Sequence, residues 1–395
     1  MIAKLHQNQL FTFEKTTGMS AVFSGNELAL LQEYVQSGAV TPFIERLFCL
    51  GILVGNVIPI LSESLATGEI YSPQSLHIDI TNRCPLHCAI CYKIPDKPKD
   101  ITYLRWNELI TEAVKLKVFQ IAIGGGEPLT HPNIVAFVER VAQTPMSVTI
   151  TSSGWGMDEN LLNQLIGAGL NHLQISLNGS TEAINRLSRD GYAHAIRALQ
   201  LLSHTNGLSY GVNWVARKSN LADFEQLVAL AKHYQAGNIN ILRYKPSLGE
   251  VYANEALNKD EFFLLADKIK QVRGILIKTD SAYSHLLLYL NNGKVSAHTC
   301  GCGAGRTFMA ISPDGTMKPC SHLQVGSCSD SIARYWNHSE SLHTFRNLSY
   351  QNAPNQCGSC TFVHQCGGCR AICERAYHNH PAGETSCPVY KRRTT

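Results

Sequence analysis

Charge is what this 395-residue sequence has little of: Asp, Glu, Lys and Arg together supply 16% of it. The formal net charge is +4, and its one clustered run, Lys391-Arg392-Arg393, reads as a solvated tail. So small and dispersed a balance gives no electrostatic footprint for nucleic acid. Long hydrophobic runs are also missing. The longest, residues 47–61, is broken by Gly51, Gly55, Asn56 and Pro59, and falls short of the roughly 20 residues a membrane-spanning helix needs. The opening Met1-Ile2-Ala3-Lys4-Leu5-His6-Gln7-Asn8 begins no secretory signal. A cytoplasmic location is therefore expected, with no membrane partner, and disulfides are disfavoured by the reducing compartment. Dinucleotide GxGxxG and Walker spacings do not occur at the Gly-rich loop.

Cysteine is abundant, with 14 residues, and paired with so little charge it suggests a protein folded around cofactors. Cys84, Cys88 and Cys91 stand at CxxxCxxC spacing in Thr81-Asn82-Arg83-Cys84-Pro85-Leu86-His87-Cys88-Ala89-Ile90-Cys91-Tyr92. Deprotonated, they can converge on one soft metal centre. Three protein ligands to a centre that takes four leave one position open, which is what a catalytic metal uses. A structural zinc site with His87 as fourth ligand would have unusual spacing. An iron–sulfur cluster with one iron not ligated by cysteine is the leading reading.

Residues 1–70 read as a separate unit. Phe11-Thr12-Phe13 and Ala21-Val22-Phe23 look like strands; a helix opens at Ser24, its expected N-cap, and another spans residues 42–50. This suits a winged-helix-like module that binds peptide rather than DNA, or else a packing cap on the next domain. Cys49 is expected in its core.

From 71 to 290 strands alternate with helices. The strand candidates are 76–80, 119–123, 147–151, 172–177, 210–214 and 238–242. The helix candidates between them include 106–116, where Trp106, Leu109, Ile110, Ala113 and Val114 recur at helical spacing, then 134–141, 161–165, 193–202 and 224–234. Six βα units in series predict an α/β fold with parallel strands and right-handed crossovers, a partial (β/α)6 barrel. Ligands of such folds bind at the C-terminal strand ends. Those ends carry Gly124-Gly125-Gly126-Glu127-Pro128, Thr151-Ser152-Ser153-Gly154, Ser176-Leu177-Asn178-Gly179 and Arg243, with Arg189 close behind. Glycines allow close backbone approach, and Glu127 offers a carboxylate to a cation or amine.

At these residues the chain resembles the radical S-adenosylmethionine (radical SAM) enzymes over about residues 75–280. Cys84, Cys88 and Cys91 look like that family's cluster motif, and Gly125-Gly126-Glu127 like its amine-binding motif. The resemblance implies a [4Fe–4S] cluster whose open iron chelates S-adenosyl-L-methionine and whose electron yields a 5′-deoxyadenosyl radical. By position, Gly126 and Glu127 would hold the methionine amine and Ile90 would contact the adenine. Ser176, Asn178 and Arg189 would reach the ribose and carboxylate. Family members usually carry Asn at the position of Ser153.

Eight further cysteines fall between Cys320 and Cys387. Residues 311–317 read as a hairpin with Asp314-Gly315 at its turn, leading to Cys320. Spacing alone allows a zinc ribbon or two four-cysteine iron–sulfur centres. The pattern resembles the SPASM extension, so residues 291–395 are expected to form a cysteine-rich auxiliary iron–sulfur domain. By that resemblance Cys300, Cys302, Cys320 and Cys369 would hold a first auxiliary cluster, and Cys357, Cys360, Cys366 and Cys387 a second. The two-residue gap between Cys366 and Cys369 departs from the pattern, so Cys373 is an alternative to Cys369. The tight Cys300–Cys302 bite leaves open an uncoordinated iron in the first cluster. Cys328 is expected as a spare buried thiol.

Enzymes of this architecture mostly modify peptides. The resemblance therefore implies an oxidoreductase that matures a ribosomally made precursor peptide (a RiPP maturase), installing a C–C, ether or thioether crosslink. It also implies a reductant such as flavodoxin or ferredoxin. Sulfatase-maturase-like protein oxidation, small-molecule cofactor biosynthesis and a zinc-binding scaffold are the alternatives. No catalytic base can be picked from the residues.

Overall fold

The structure, a computed structural model, describes residues 2–6, 9–16, 18–54, 72–93, 97–247, 251–293, 301–347, 357–366, 368–377 and 387–389. Cys300, the cationic 391–393 run and the end of the expected N-terminal unit lie outside them.

The N-terminal unit is an antiparallel meander of β1 (Ile2–His6), β2 (Gln9–Phe13) and β3 (Ser20–Ser24), followed by helices Gly25–Ser37 and Pro42–Cys49. Both faces of its sheet are buried. Ala3, Leu10 and Phe23 pack under Leu28, Leu31, Tyr34, Ile44 and Leu47 of the two helices. Ile2 and Phe13 belong instead to the main core, where Phe13 stacks on Phe119 at 5.7 Å. Lys15 Nζ donates to the carbonyls of Ala142 and Thr144, closing the end of helix Ile134–Ala142. Ser24 does take the N-cap position, but its hydroxyl makes no cap bond. Strand β1 was not legible in the sequence because burial on both faces erases alternation. A winged-helix identity for this unit is not established by these elements.

The main sheet has ten strands in the order β10-β9-β8-β7-β6-β5-β4-β11-β12-β13. Six of them match the expected series: β4 (Ser75–Asp79), β5 (Gln120–Gly124), β6 (Ser147–Ser152), β7 (His172–Ser176), β8 (Ser209–Ala216) and β9 (Asn238–Arg243). All pair in parallel with their sequence neighbours. A seventh parallel strand, β10 (Leu276–Thr279), follows helix Lys259–Gln271; its exposed alternate residues gave it a weak signal. Among the described residues the sheet is open, so the α/β partial barrel stands with β10 added to the six expected strands.

Helices cover the outer face. In Tyr103–Lys115 the residues Trp106, Leu109, Ile110 and Ala113 are buried, whereas Val114 turns to solvent at the margin of the stripe. The C-terminal unit joins the same sheet: β11 (Phe308–Ile311) lies parallel to β4 with Met309 opposite Leu76, then turns into β12 (Thr316–Lys318) and β13 (Ser327–Cys328). Glu112, on the barrel helix, accepts hydrogen bonds from Ser331 Oγ and the amides of Ile332 and Ala333 at the start of helix Ile332–His338. Two thiols depart from expectation. Cys49 is exposed, because the buried face of its helix is Ile44 and Leu47 and two further residues rotate the side chain away. Cys328 is exposed on the outermost strand of the sheet, where no further strand covers it among the described residues.

Candidate functional site

Strand β4 delivers the cysteine loop to the C-terminal edge of the sheet. Its base is fixed by Asp100, which accepts from Thr81 Oγ1 at 2.6 Å and pairs with Arg83 Nε at 3.0 Å. The next strand end locks onto the same backbone: Gly126 N donates to Thr81 O at 2.7 Å and Glu127 N to Arg83 O at 2.8 Å. A Cβ at Gly126 would fall on the Arg83 carbonyl, and one at Gly125, where φ is +146°, on the Thr81 carbonyl. These glycines are therefore required first by the close approach of two backbones.

Cys84, Cys88 and Cys91 all lie on this loop, and their charges act on one another. Burial raises the thiol pKa of Cys84 and of Cys88; the Arg189 guanidinium and the Asp190 amide oppose this at Cys88. Residues 188–190 brace the loop, with His87 N donating to Asp190 Oδ2 at 2.9 Å and Ile90 N to Ser188 O at 3.2 Å. Ile90 is half-buried there. Arg189 Nε is buried beside Cys88 without a hydrogen-bond partner among the described residues.

Glu127 is 1% exposed and its carboxylate is fully engaged. It accepts from Leu129 N, Ser152 Oγ, Ser153 N and Ser153 Oγ, at 2.5 to 3.1 Å. Burial raises its pKa, and the Ser153 bonds oppose that most strongly. Ser152 and Ser153 thus hold Glu127, a role the sequence did not disclose. Asn178 is equally committed: Nδ2 donates to Ser188 Oγ at 2.9 Å, and Oδ1 accepts from Val215 N at 3.0 Å. Ser176 is buried at the end of β7.

Several residues at this mouth escaped sequence reasoning. Lys93 Nζ lies 2.7 Å from Asp79 Oδ1 and 2.5 Å from Gly125 O. Burial alone would push this ammonium's pKa down, but the Asp79 carboxylate keeps it above the usual lysine range. Tyr92 stacks against His322 at 3.8 Å between centroids, and its hydroxyl is 3.4 Å from Ser321 Oγ. Arg375 Nε donates to His322 O and Nη1 to Pro246 O. Asp79 at a strand end was the available signal; Lys93 and His322 offered none, since only folding brings them together.

Cys302, Cys320 and Cys369 form a second group. Charge on Cys302 acts on both Cys320 and Cys369, and burial pushes the Cys320 thiol up to about 11. Cys373, one helical turn beyond Cys369, packs instead with Val363 and Cys357. Cys357, Cys360 and Cys366 occupy one short segment, where Cys360 N donates to Cys357 O and Val363 N to Cys360 O. Cys387 is partly buried. Among the described residues no three His, Cys, Asp or Glu side chains converge within reach of a single metal ion.

Residues 78–231 match the radical SAM superfamily, and residues 300–361 match the SPASM iron–sulfur cluster-binding domain. This chain contains a radical SAM domain. It is 26% identical over 314 residues to the PqqA peptide cyclase of Gluconobacter oxydans, covering 75% of this chain and 86% of that protein. It is 27% identical over 328 residues to the mycofactocin maturase MftC of Mycobacterium tuberculosis, covering 80% and 82%. Its fold matches that of Streptococcus suis SuiB bound to S-adenosylmethionine, with a TM-score of 0.72, 16% identity and coverage of 100% of this chain and 97% of that one. The radical SAM cofactors are an iron–sulfur cluster and S-adenosyl-L-methionine, and the site suits them. It offers three neighbouring thiols that lose their protons on metal binding, and beside Cys88 a buried guanidinium nitrogen, unpartnered among the described residues, for an anionic group.

Proposed function

We propose that this protein is a radical SAM maturase of a ribosomally made precursor peptide, installing a C–C, ether or thioether link between side chains. The reading is carried by likeness to two peptide-maturing relatives over three quarters or more of the chain. The fold likeness to SuiB, which has been solved bound to the precursor peptide SuiA, extends over the whole length and so includes the N-terminal unit. Residues 1–70 would recognise peptide, 71–290 carry the chemistry and 291–395 hold auxiliary clusters. In the meander β3 pairs on one side only among the described residues, and such an edge can take up an extended peptide as a further strand.

Cys84, Cys88 and Cys91 would hold the SAM-binding [4Fe–4S] cluster. Cys302, Cys320 and Cys369, with Cys300, would hold the first auxiliary cluster; Cys357, Cys360, Cys366 and Cys387 the second. Loaded with S-adenosyl-L-methionine, the reduced cluster supplies a 5′-deoxyadenosyl radical able to take hydrogen from unactivated carbon.

The residues themselves position and exclude. Arg189 would face the anionic end of the ligand, and Gly125 and Gly126 fix the loop. Because Glu127 is saturated by Ser152, Ser153 and Leu129, it anchors an amine only by exchanging one of those bonds. Ile90, Ser176 and Asn178 would make the remaining contacts, Asn178 by giving up Ser188 or Val215. Flavodoxin or ferredoxin would supply the electron, in the cytoplasm. Among the described residues no helix is long and apolar enough to cross a membrane.

The test is co-expression with a short peptide encoded beside the gene, followed by mass spectrometry. Loss of a hydrogen pair, dependent on Cys84, Cys88 and Cys91, is expected. An unchanged peptide mass with 5′-deoxyadenosine still released would refute the crosslinking step.

A further inference from the structure

The inner face of the barrel sheet, turned away from the covering helices, carries polar side chains that the fold does not need. On β8 Trp214 points to the helix layer, where it meets Phe224 at 5.1 Å between centroids. Alternation therefore sends Gly211 and Asn213 the other way. On β9 Ile239 and Ile241 join the helix-side core, which leaves Asn238 and Asn240 on the inner face. Barrel interiors are ordinarily filled by branched apolar side chains. Here two carboxamide pairs cross the strands instead. Gln174 Nε2 donates to Asn238 Oδ1 at 2.8 Å, and a Cβ at the intervening Gly211 would strike the Asn238 carboxamide. One row nearer the mouth, Asn240 Nδ2 donates to Asn213 Oδ1 at 3.2 Å, and Ser176 stands in register beside Asn213. Thr151, in register with Gln174, is exposed, so this face is open toward the mouth.

We propose that Asn213 and Asn240 form a subsite for one main-chain amide of the precursor peptide, Asn213 donating to its carbonyl and Asn240 accepting from its N–H. The inference rests on the reading of this protein as a peptide maturase. Beyond their mutual bond, Asn213 Nδ2 and Asn240 Oδ1 make no hydrogen bond among the described residues. A carboxamide pair has no net charge, so it selects no ion. Its open donor and open acceptor are the complement of a peptide group. The Gln174–Asn238 pair lies one row deeper and backs the subsite. Ser176, assigned above to the cofactor, shares the row, so a peptide held there would lie beside the origin of the radical. Both asparagines are substrate-binding residues and exchange no proton or electron.

The experiment uses anaerobically reconstituted full-length protein and a synthetic copy of the short peptide encoded beside the gene. Asn213→Leu and Asn240→Leu should each lower kcat/KM for peptide modification about tenfold. Iron content and the dissociation constant of S-adenosyl-L-methionine should not change. Peptides N-methylated at single residues then test whether a main-chain group is read. One position should slow the wild type and leave Asn240→Leu no slower than with the unmethylated peptide. Gln200→Ala, on the exposed face of helix Tyr192–Ser203, should behave as wild type. If a leucine variant loses iron, Asn213→Asp, which keeps the shape and removes the donor, carries the same prediction. Unchanged kcat/KM in the variants would overturn the inference. So would weakened binding of S-adenosyl-L-methionine, which would give the pair to the cofactor, or N-methylation that slows the wild type and Asn240→Leu alike at every position. If the wild type releases 5′-deoxyadenosine but leaves the peptide unmodified, the maturase reading fails and the subsite with it.

Discussion

The ring of Tyr92 lies 3.8 Å from the ring of His322, tilted by 38°. Tyr92 directly follows Cys91, and His322 comes two residues after Cys320, so one aromatic contact joins the two cysteine loops. Burial lowers the His322 pKa far below its usual value, so the stacked imidazole is neutral. Tyr92→Ala removes a half-buried ring, so it should cost less than the ~3–5 kcal/mol of a fully buried one, and lower the thermal midpoint. Tyr92→Phe loses only the long bond to Ser321 and should cost about 1 kcal/mol or less. Equal midpoints for the two variants would show that the stack contributes nothing.

Gly126→Ala should prevent the cysteine loop from seating, because the added methyl meets the Arg83 carbonyl. The expected result is loss of about four irons per chain with the remaining sites still loaded. Gly156→Ala is the contrasting variant: nothing lies within 4 Å of its Cβ position, although its φ of +76° imposes local strain. Iron retained at the wild-type level in Gly126→Ala would contradict the backbone packing described.

Lys4 predicts a pH dependence. It is buried between the N-terminal sheet and the barrel, donating to Ser72 Oγ and Pro73 O and lying 4.7 Å from the centroid of Phe119. Burial, reinforced by Lys117, pushes its pKa down to about 7. Between that value and the ordinary lysine range the unfolded chain binds the extra proton, so stability rises with pH there. The slope from this residue is at most about 1.4 kcal/mol per pH unit. Lys4→Met should flatten the rise in thermal midpoint between pH 7 and 10; an identical slope would assign it to other groups.

Thiol labelling separates ligands from bystanders. In the loaded protein under anaerobic conditions, exposed Cys49 and Cys328 should alkylate rapidly. Cys84 and Cys91 are also exposed in the bare chain, and should label only after the iron is removed by a chelator. Rapid labelling of Cys84 in the loaded protein would remove it from the ligand set.

What the sequence determined by itself was local. The CxxxCxxC spacing, the glycines after β5 and the helical stripe of Trp106, Leu109 and Ile110 each rest on residues close in the chain, where spacing dictates geometry. Strand order followed too, because short βα connections leave parallel neighbours as the one economical arrangement. The fates of Cys49 and Cys328 were misread because burial depends on which face meets the core. Tertiary structure alone decided that β11 would pair with β4 and so join the cysteine-rich unit to the barrel sheet. It also decided that Ser153 serves Glu127 and that Tyr92 meets His322. These contacts join residues tens to hundreds of positions apart, and no local periodicity encodes them.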